Sequence, residues 1–166
     1  MELTYGRYLK VEELLQLQQP LSEGPEHDEM LFIIIHQVYE LWFKQILHEL
    51  EKLNSSFQEG ERGKALHTLK RIRSILKVLV SQVDVLETMT PLEFLSFRER
   101  LQSASGFQSC QFRELEFTLG LKNPKHLEHY PPGSEERNRL EKKWRNLLCG
   151  RFSSSFFPAW DMIPQN

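Results

Sequence analysis

The sequence predicts an all-α protein, a helical bundle of about five helices, and three observations carry that prediction. Glycine and proline are missing from Glu26 to Glu59 and again from Lys64 to Thr90, gaps far longer than a strand. Apolar residues inside both gaps recur at steps of three and four. Alternating strand patterns, internal repeats and low-complexity tracts are absent.

The first long helix is expected to start at Asp28, whose carboxylate suits free N–H groups, with Glu29 adding negative charge to the first turn. Leu31, Ile35, Val38 and Trp42 form one stripe, widened by Ile34 and Leu41; Phe32, His36, Tyr39 and Phe43 form a second. Only Gln37, Glu40, Lys44 and Glu51 keep a polar edge, so this helix reads as buried, centrally or between subunits. The next helix carries Leu69, Ile72, Leu76, Leu79, Val83 and Leu86, a 3.5-residue period typical of bundle packing, with Lys70, Arg71, Arg73 and Lys77 as its solvated side.

Thr90-Pro91-Leu92-Glu93 is a capping box with proline at the first helical position, and opens a third helix bearing Phe94, Phe97, Arg98 and Leu101. Ser103-Ala104-Ser105-Gly106 breaks it. A fourth helix is expected from Phe107 to Leu119, stopped by Gly120, then a loop from Asn123 to Gly133. Ser134 caps a fifth, with Leu140, Trp144, Leu147 and Leu148, ending at Gly150. Residues 1–150 thus read as one helical domain and 151–166 as an irregular aromatic, serine-rich tail.

Composition bounds the function. The 166 residues are 40% hydrophobic and 27% charged, enough apolar surface for a packed core. A net charge of -2 removes the basic excess of a nucleic-acid binder. Cys110 and Cys149 build no disulfide framework, the start Met-Glu-Leu-Thr has no leader character, and no apolar run approaches a membrane span. The expected setting is the cytoplasm. Gly-rich phosphate loops, CxxC pairs and HExxH are also missing.

Two residues stand out as chemistry. His36 lies in an aromatic stretch, where an imidazole serves as general base or orienting group, or simply as a core histidine bonded to a neighbour. Arg98, among Phe94, Phe97 and Leu101, calls for an anion, either a substrate carboxylate or an internal one such as Glu93. The Ser103–Gly106 stretch reads as an anion-binding turn or a plain cap, and Tyr5 and Tyr8 as a pocket cover or surface packing. His126 and His129 are three apart in proline-rich surroundings, with no carboxylate or thiol ligand beside them.

At these residues the chain resembles the tryptophan 2,3-dioxygenase family. His27-Asp28-Glu29, Leu31-Phe32-Ile33-Ile34, His36-Gln37 and Tyr39-Glu40-Leu41-Trp42-Phe43-Lys44-Gln45-Ile46-Leu47 resemble its central signature. Tyr5-Gly6 with Tyr8-Leu9, Leu86-Glu87-Thr88-Met89-Thr90, and Phe97-Arg98-Glu99 through Ser103-Ala104-Ser105-Gly106 to Gln111-Phe112-Arg113 agree in order and spacing. The resemblance implies an oligomeric heme protein, dimer or tetramer, that inserts O2 across the indole C2–C3 bond of L-tryptophan. It implies His36 as the group that bonds the indole N–H, Phe32 and Phe94 as aromatic walls, and Arg98 as the carboxylate clamp. Ser105 and Gly106 would border the heme, and Tyr5 and Tyr8 would reach into a neighbouring subunit's site.

The likeness covers only the family's N-terminal portion. The C-terminal region holding its proximal heme histidine has no counterpart here, so the metal ligand is unknown; His48, His67, His126 and His129 stay uncommitted. Two other readings therefore stand beside the oxygenase: a heme-free aromatic amino-acid pocket that binds indoles or runs different chemistry, and a helical assembly module.

Overall fold

The computed structural model describes residues 3–24, 26–102 and 104–145, and every regular element among them is helical. In chain order these are α1 (Tyr5–Leu9), α2 (Val11–Leu14), α3 (Asp28–Gln58), α4 (Arg62–Leu86), α5 (Pro91–Arg98), α6 (Cys110–Leu119), α7 (Lys125–Glu128) and α8 (Glu135–Arg145). Short 3-10 turns follow α5 and precede α6. No helix among the described residues is long and apolar enough to cross a membrane. The chain forms two compact units, residues 3–39 with 78–106 and residues 40–77 with 107–145, and both draw on α3 and α4.

In the first unit α3 begins where expected, with Asp28 and Glu29 in its first turn. Glu29 does more than complement the helix dipole. It is 1% exposed, and its carboxylate accepts the backbone N–H of Leu21 at 2.7 Å and of Ser22 at 2.9 Å. Burial pushes its pKa up, but hydrogen bonds from Ser22 and Leu21, with the Arg100 charge, outweigh that and hold it below the usual value. Gln37 anchors the same strap further along, donating to the Leu17 carbonyl at 3.0 Å and accepting from Gln18. The strap leads back to α1 and α2, which bury none of their residues.

The capping box forms at Thr90: its hydroxyl accepts Glu93 N–H at 3.3 Å and the Glu93 carboxylate accepts Thr90 N–H at 2.6 Å. Such a cap is worth about 1 kcal/mol. Ile35, Leu79 and Phe97 are the buried hydrophobics here, and the Tyr39 hydroxyl donates to the Leu79 carbonyl at 2.8 Å.

In the second unit α3 ends at Gln58, Gly60 turns with φ of +71°, and α4 returns from Arg62. Arg71 ties the two helices by a 2.9 Å pair to the buried Glu49. The expected stripe on α4 is corrected by the structure. The buried line runs Ala65, Thr68, Ile72, Ile75, Leu79, again at steps of three and four, while Val83 is 37% exposed. Two apolar seams share Ile72 and Leu79, and a single helix cannot turn both to one core. On α3 the buried line is Ile35, Phe43, Ile46, Leu50 and Leu53, while the flank at Ile34 and Leu41 is exposed in the single chain, so central burial does not extend to it.

Phe117, Tyr130 and Leu140 form a core cluster with Cys110, Leu127 and Trp144, the Phe117 and Trp144 rings meeting edge-on at 5.3 Å. Gly120 closes α6 with φ of +100°, as expected. The start of α6 differs: Phe107 lies in a 3-10 turn, and the Ser109 hydroxyl caps the helix by accepting Phe112 N–H at 3.1 Å. The expected loop from Asn123 contains α7, and Ser134 caps α8 through Arg137 N–H at 3.2 Å. Leu147, Leu148, Gly150 and the 151–166 tail lie outside the described residues.

Phe117→Ala is expected to cost about 3–5 kcal/mol in urea unfolding, whereas Leu92→Ala, at a site 80% exposed, should stay within about 0.5 kcal/mol. For Glu29 the native pKa lies below the unfolded one. Its contribution is therefore full above the ordinary carboxylate range and is lost as pH falls through the depressed native value. Amide protection at Leu21 and Ser22 should show that acid step, and Glu29→Gln should remove it.

Candidate functional site

Residues four apart on a helix stand one above the other, so α3 stacks His36 over Phe32. The rings lie 4.1 Å apart, centroid to centroid, and His36 Nδ1 is 2.7 Å from the Phe32 carbonyl oxygen. A carbonyl only accepts, so Nδ1 carries the proton and donates. In the neutral ring Nε2 is then left as an acceptor.

Nε2 faces Gly106. A Cβ built on Gly106 would stand 3.6 Å from Nε2, so the missing side chain leaves space over the acceptor. Gly106 and Ser105 are themselves exposed.

Helix α5 completes the aromatic wall. Phe94 and Phe97 lie 5.8 and 5.6 Å from Phe32, and meet each other edge-on at 5.5 Å. Phe97 is fully buried and Phe94 half-buried, so Phe97 backs the wall while Phe94 presents a face. Helical spacing predicts Tyr39 and Phe43 on the same side as His36, besides Phe32, and for those two the structure differs. Phe43 shares the face of His36 but lies seven residues on, about two turns and 10 Å along the axis, and packs on Phe112 within the second unit. Tyr39 is occupied by its bond to Leu79, and burial raises the pKa of its phenol.

Arg98 ends α5 half-buried. Of its two candidate partners, Glu93 is committed to the Thr90 cap. The guanidinium donates to the Gln102 carbonyl at 3.0 Å, and among the described residues no carboxylate lies within 4.0 Å of it. Gln102 has φ of +51°, a costly backbone for a residue with a Cβ, of order 1–3 kcal/mol. The arginine thus braces a strained turn leading to residues 104–106. Ser103, expected in this turn, lies outside the described residues.

The structure brings Phe32, His36, Phe94 and Gly106 together, with Arg98 and Ser105 on neighbouring positions of the same unit. Tyr5 and Tyr8 lie 78% and 72% exposed on α1. Sequence reasoning missed Glu29 and Gln37 as strap anchors; the spacing of eight along one helix was the available signal. It also passed over Arg113, buried in the second unit, which donates to Glu116 at 2.6 Å and to the Phe107 carbonyl at 3.3 Å. His126 and His129 stack at 6.3 Å, and no group of three metal-ligating side chains stands together among the described residues. Burial pushes the Cys110 thiol up to about 11, which disfavours the reactive thiolate.

Fold and site define an all-α protein in which one long helix and a short capped one hold a histidine acceptor against an aromatic wall, with an arginine at the rim. The sequence matches the family described as tryptophan 2,3-dioxygenase over residues 1–145. Relatives bearing that name are 58% identical over 143 residues in Herpetosiphon aurantiacus, covering 86% of this chain and 55% of the relative. In Anaeromyxobacter sp. strain K identity is 59% over 138 residues, 83% and 51% of the two chains. The chain belongs to the tryptophan 2,3-dioxygenase family, and it spans about half the length of the curated relatives it matches.

Gly106→Ala places a methyl in ordinary van der Waals contact with Nε2. It should leave stability within about 1 kcal/mol by thermal melting, while weakening by tenfold or more the binding of any N–H donor there, measured by calorimetry with indole.

Proposed function

We propose that this chain forms the substrate-binding part of a heme-dependent tryptophan 2,3-dioxygenase, an oxidoreductase acting on L-tryptophan or a related indole. Both atoms of O2 enter the product across the indole C2–C3 bond. One observation carries the reading: Nδ1–H of His36 is fixed on the Phe32 carbonyl, which presents Nε2 as an acceptor inside an aromatic wall. Indole offers one N–H donor, no acceptor, and two faces for stacking. That is the complement of this wall.

Phe32 and Phe94 flank the ring, His36 accepts the indole N–H, and Arg98 takes the amino-acid carboxylate through a bidentate pair. Binding of the carboxylate and the N–H at once fixes the ring's position and slope, and such orientation is where much of a rate enhancement originates. Exposed Tyr5 and Tyr8 would close the site of a neighbouring copy in a homo-oligomer, which the bare flank at Ile34 and Leu41 supports. The setting is cytoplasmic.

Heme, when bound, supplies the activation of O2. The residues present fit its substrate side: Ser105 and Gly106 would border its rim, where a Cβ would otherwise fill the space beside Nε2. For an axial ligand the described histidines offer no comparable set. His48, His67, His126 and His129 all belong to the second unit, and His67 already meets Arg71 at 3.3 Å.

Titration of purified protein with hemin, then with L-tryptophan, tests the reading by absorption spectroscopy. A saturable Soret band that shifts with tryptophan is expected. Tryptophan binding with no heme uptake would reduce the chain to a heme-free aromatic pocket. Arg98→Ala should lose about 1.5–3 kcal/mol of affinity for L-tryptophan, tenfold or more in Kd, and should weaken tryptamine, which has no carboxylate, far less.

A further inference from the structure

Glu29 is a buried acid that the ligand site does not use. Burying a carboxylate is costly unless hydrogen bonds replace its water. Here both oxygens are spent on one target, the amides of Leu21 and Ser22. Eight residues along the same helix, Gln37 holds Leu17 and Gln18. The strap therefore runs antiparallel to α3, with two anchors about 12 Å apart along the helix axis. Four or five residues joining those anchors reach about 13–18 Å when extended, and Pro20 stiffens the span. Little slack remains.

Beyond the strap, α1 and α2 bury nothing, so they have no core of their own to fix their course. Between the anchors, on the same helix, lie Phe32 and His36. We propose that Glu29 and Gln37 are positioning residues, which aim the arm carrying Tyr5 and Tyr8 by holding the strap in register with the helix that carries the binding wall. The inference rests on the reading above, in which those tyrosines close a ligand site. Neither residue touches the ligand; both act through the arm.

A double-mutant cycle on the full chain tests this, with L-tryptophan affinity measured by calorimetry. Glu29→Ala and Gln37→Ala are each expected to weaken binding about tenfold, with Glu29→Gln, which keeps one acceptor, falling between. In a Tyr5→Ala/Tyr8→Ala background the same substitutions should be silent, because the arm they aim no longer reaches anything. Additive losses in both backgrounds, or undiminished affinity with the arm intact, overturn the proposal and leave Glu29 and Gln37 as ordinary stabilisers. Gln37→Ala, at a partly exposed position, carries the test if Glu29→Ala fails to fold. Wild-type protein that binds no tryptophan overturns the parent reading and this one with it.

Discussion

The geometry of the first unit descends from one constraint, the unbroken helical path of α3 from Glu29 to Gln37. A fixed turn of about 100° and rise of 1.5 Å per residue place Glu29, Phe32, His36 and Gln37 at set angles and heights. Phe32 and His36 stack because they are four apart, and that spacing puts the Phe32 carbonyl within reach of Nδ1. The carbonyl then decides which ring nitrogen is bare. Gln37, one residue on, turns away from the wall toward the strap. A proline or a π-bulge anywhere in this stretch would rotate the wall from the strap anchors and undo both at once.

Helix existence was legible in the sequence, because gaps without glycine or proline and the Thr90 and Ser134 caps are local signals. Facing was less so. On α4 two seams share Ile72 and Leu79, and only the neighbours determine that Ile75 is turned in and Val83 out. Of the site, His36 and Arg98 were visible as polar groups in apolar company, and the Ser105–Gly106 break was visible as a turn. Their partners were not. Whether Arg98 meets Glu93 or holds Gln102 depends on where the capping box sends the Glu93 carboxylate. Helical period alone offered Tyr39 and Phe43 as companions of Phe32; Phe94 came only through the family resemblance, because α5 arrives from sixty residues away, which no helical period encodes. The strap escaped because glutamate in a first turn already has a sufficient explanation in the helix dipole.

The polar groups of the first unit divide between holding the frame and remaining available. Glu93, Glu29 and Tyr39 bond backbone partners, and Gln37 bonds the Leu17 carbonyl and the Gln18 side chain. His36 spends one nitrogen and keeps the other, and Arg98 spends one arm of its guanidinium on Gln102. An arginine braced through one nitrogen keeps a defined plane for a second, bidentate partner. Both free groups therefore come pre-oriented, and orientation settled at folding is not charged again at binding.

Shape and exposure point the same way. A short arm with no buried residue, a bare flank on α3 and a partly bare seam on α4 are more apolar surface than a lone domain keeps without cause. The relatives devote about as much chain again to segments unmatched here, and a wall needs a facing surface before it becomes an enclosure. In the proposed reading Phe32 and Phe94 would supply two sides of the site and His36 its orienting acceptor. In that reading a facing surface outside these residues would close the site, and the strap anchored at Glu29 and Gln37 would aim the arm that supplies part of it.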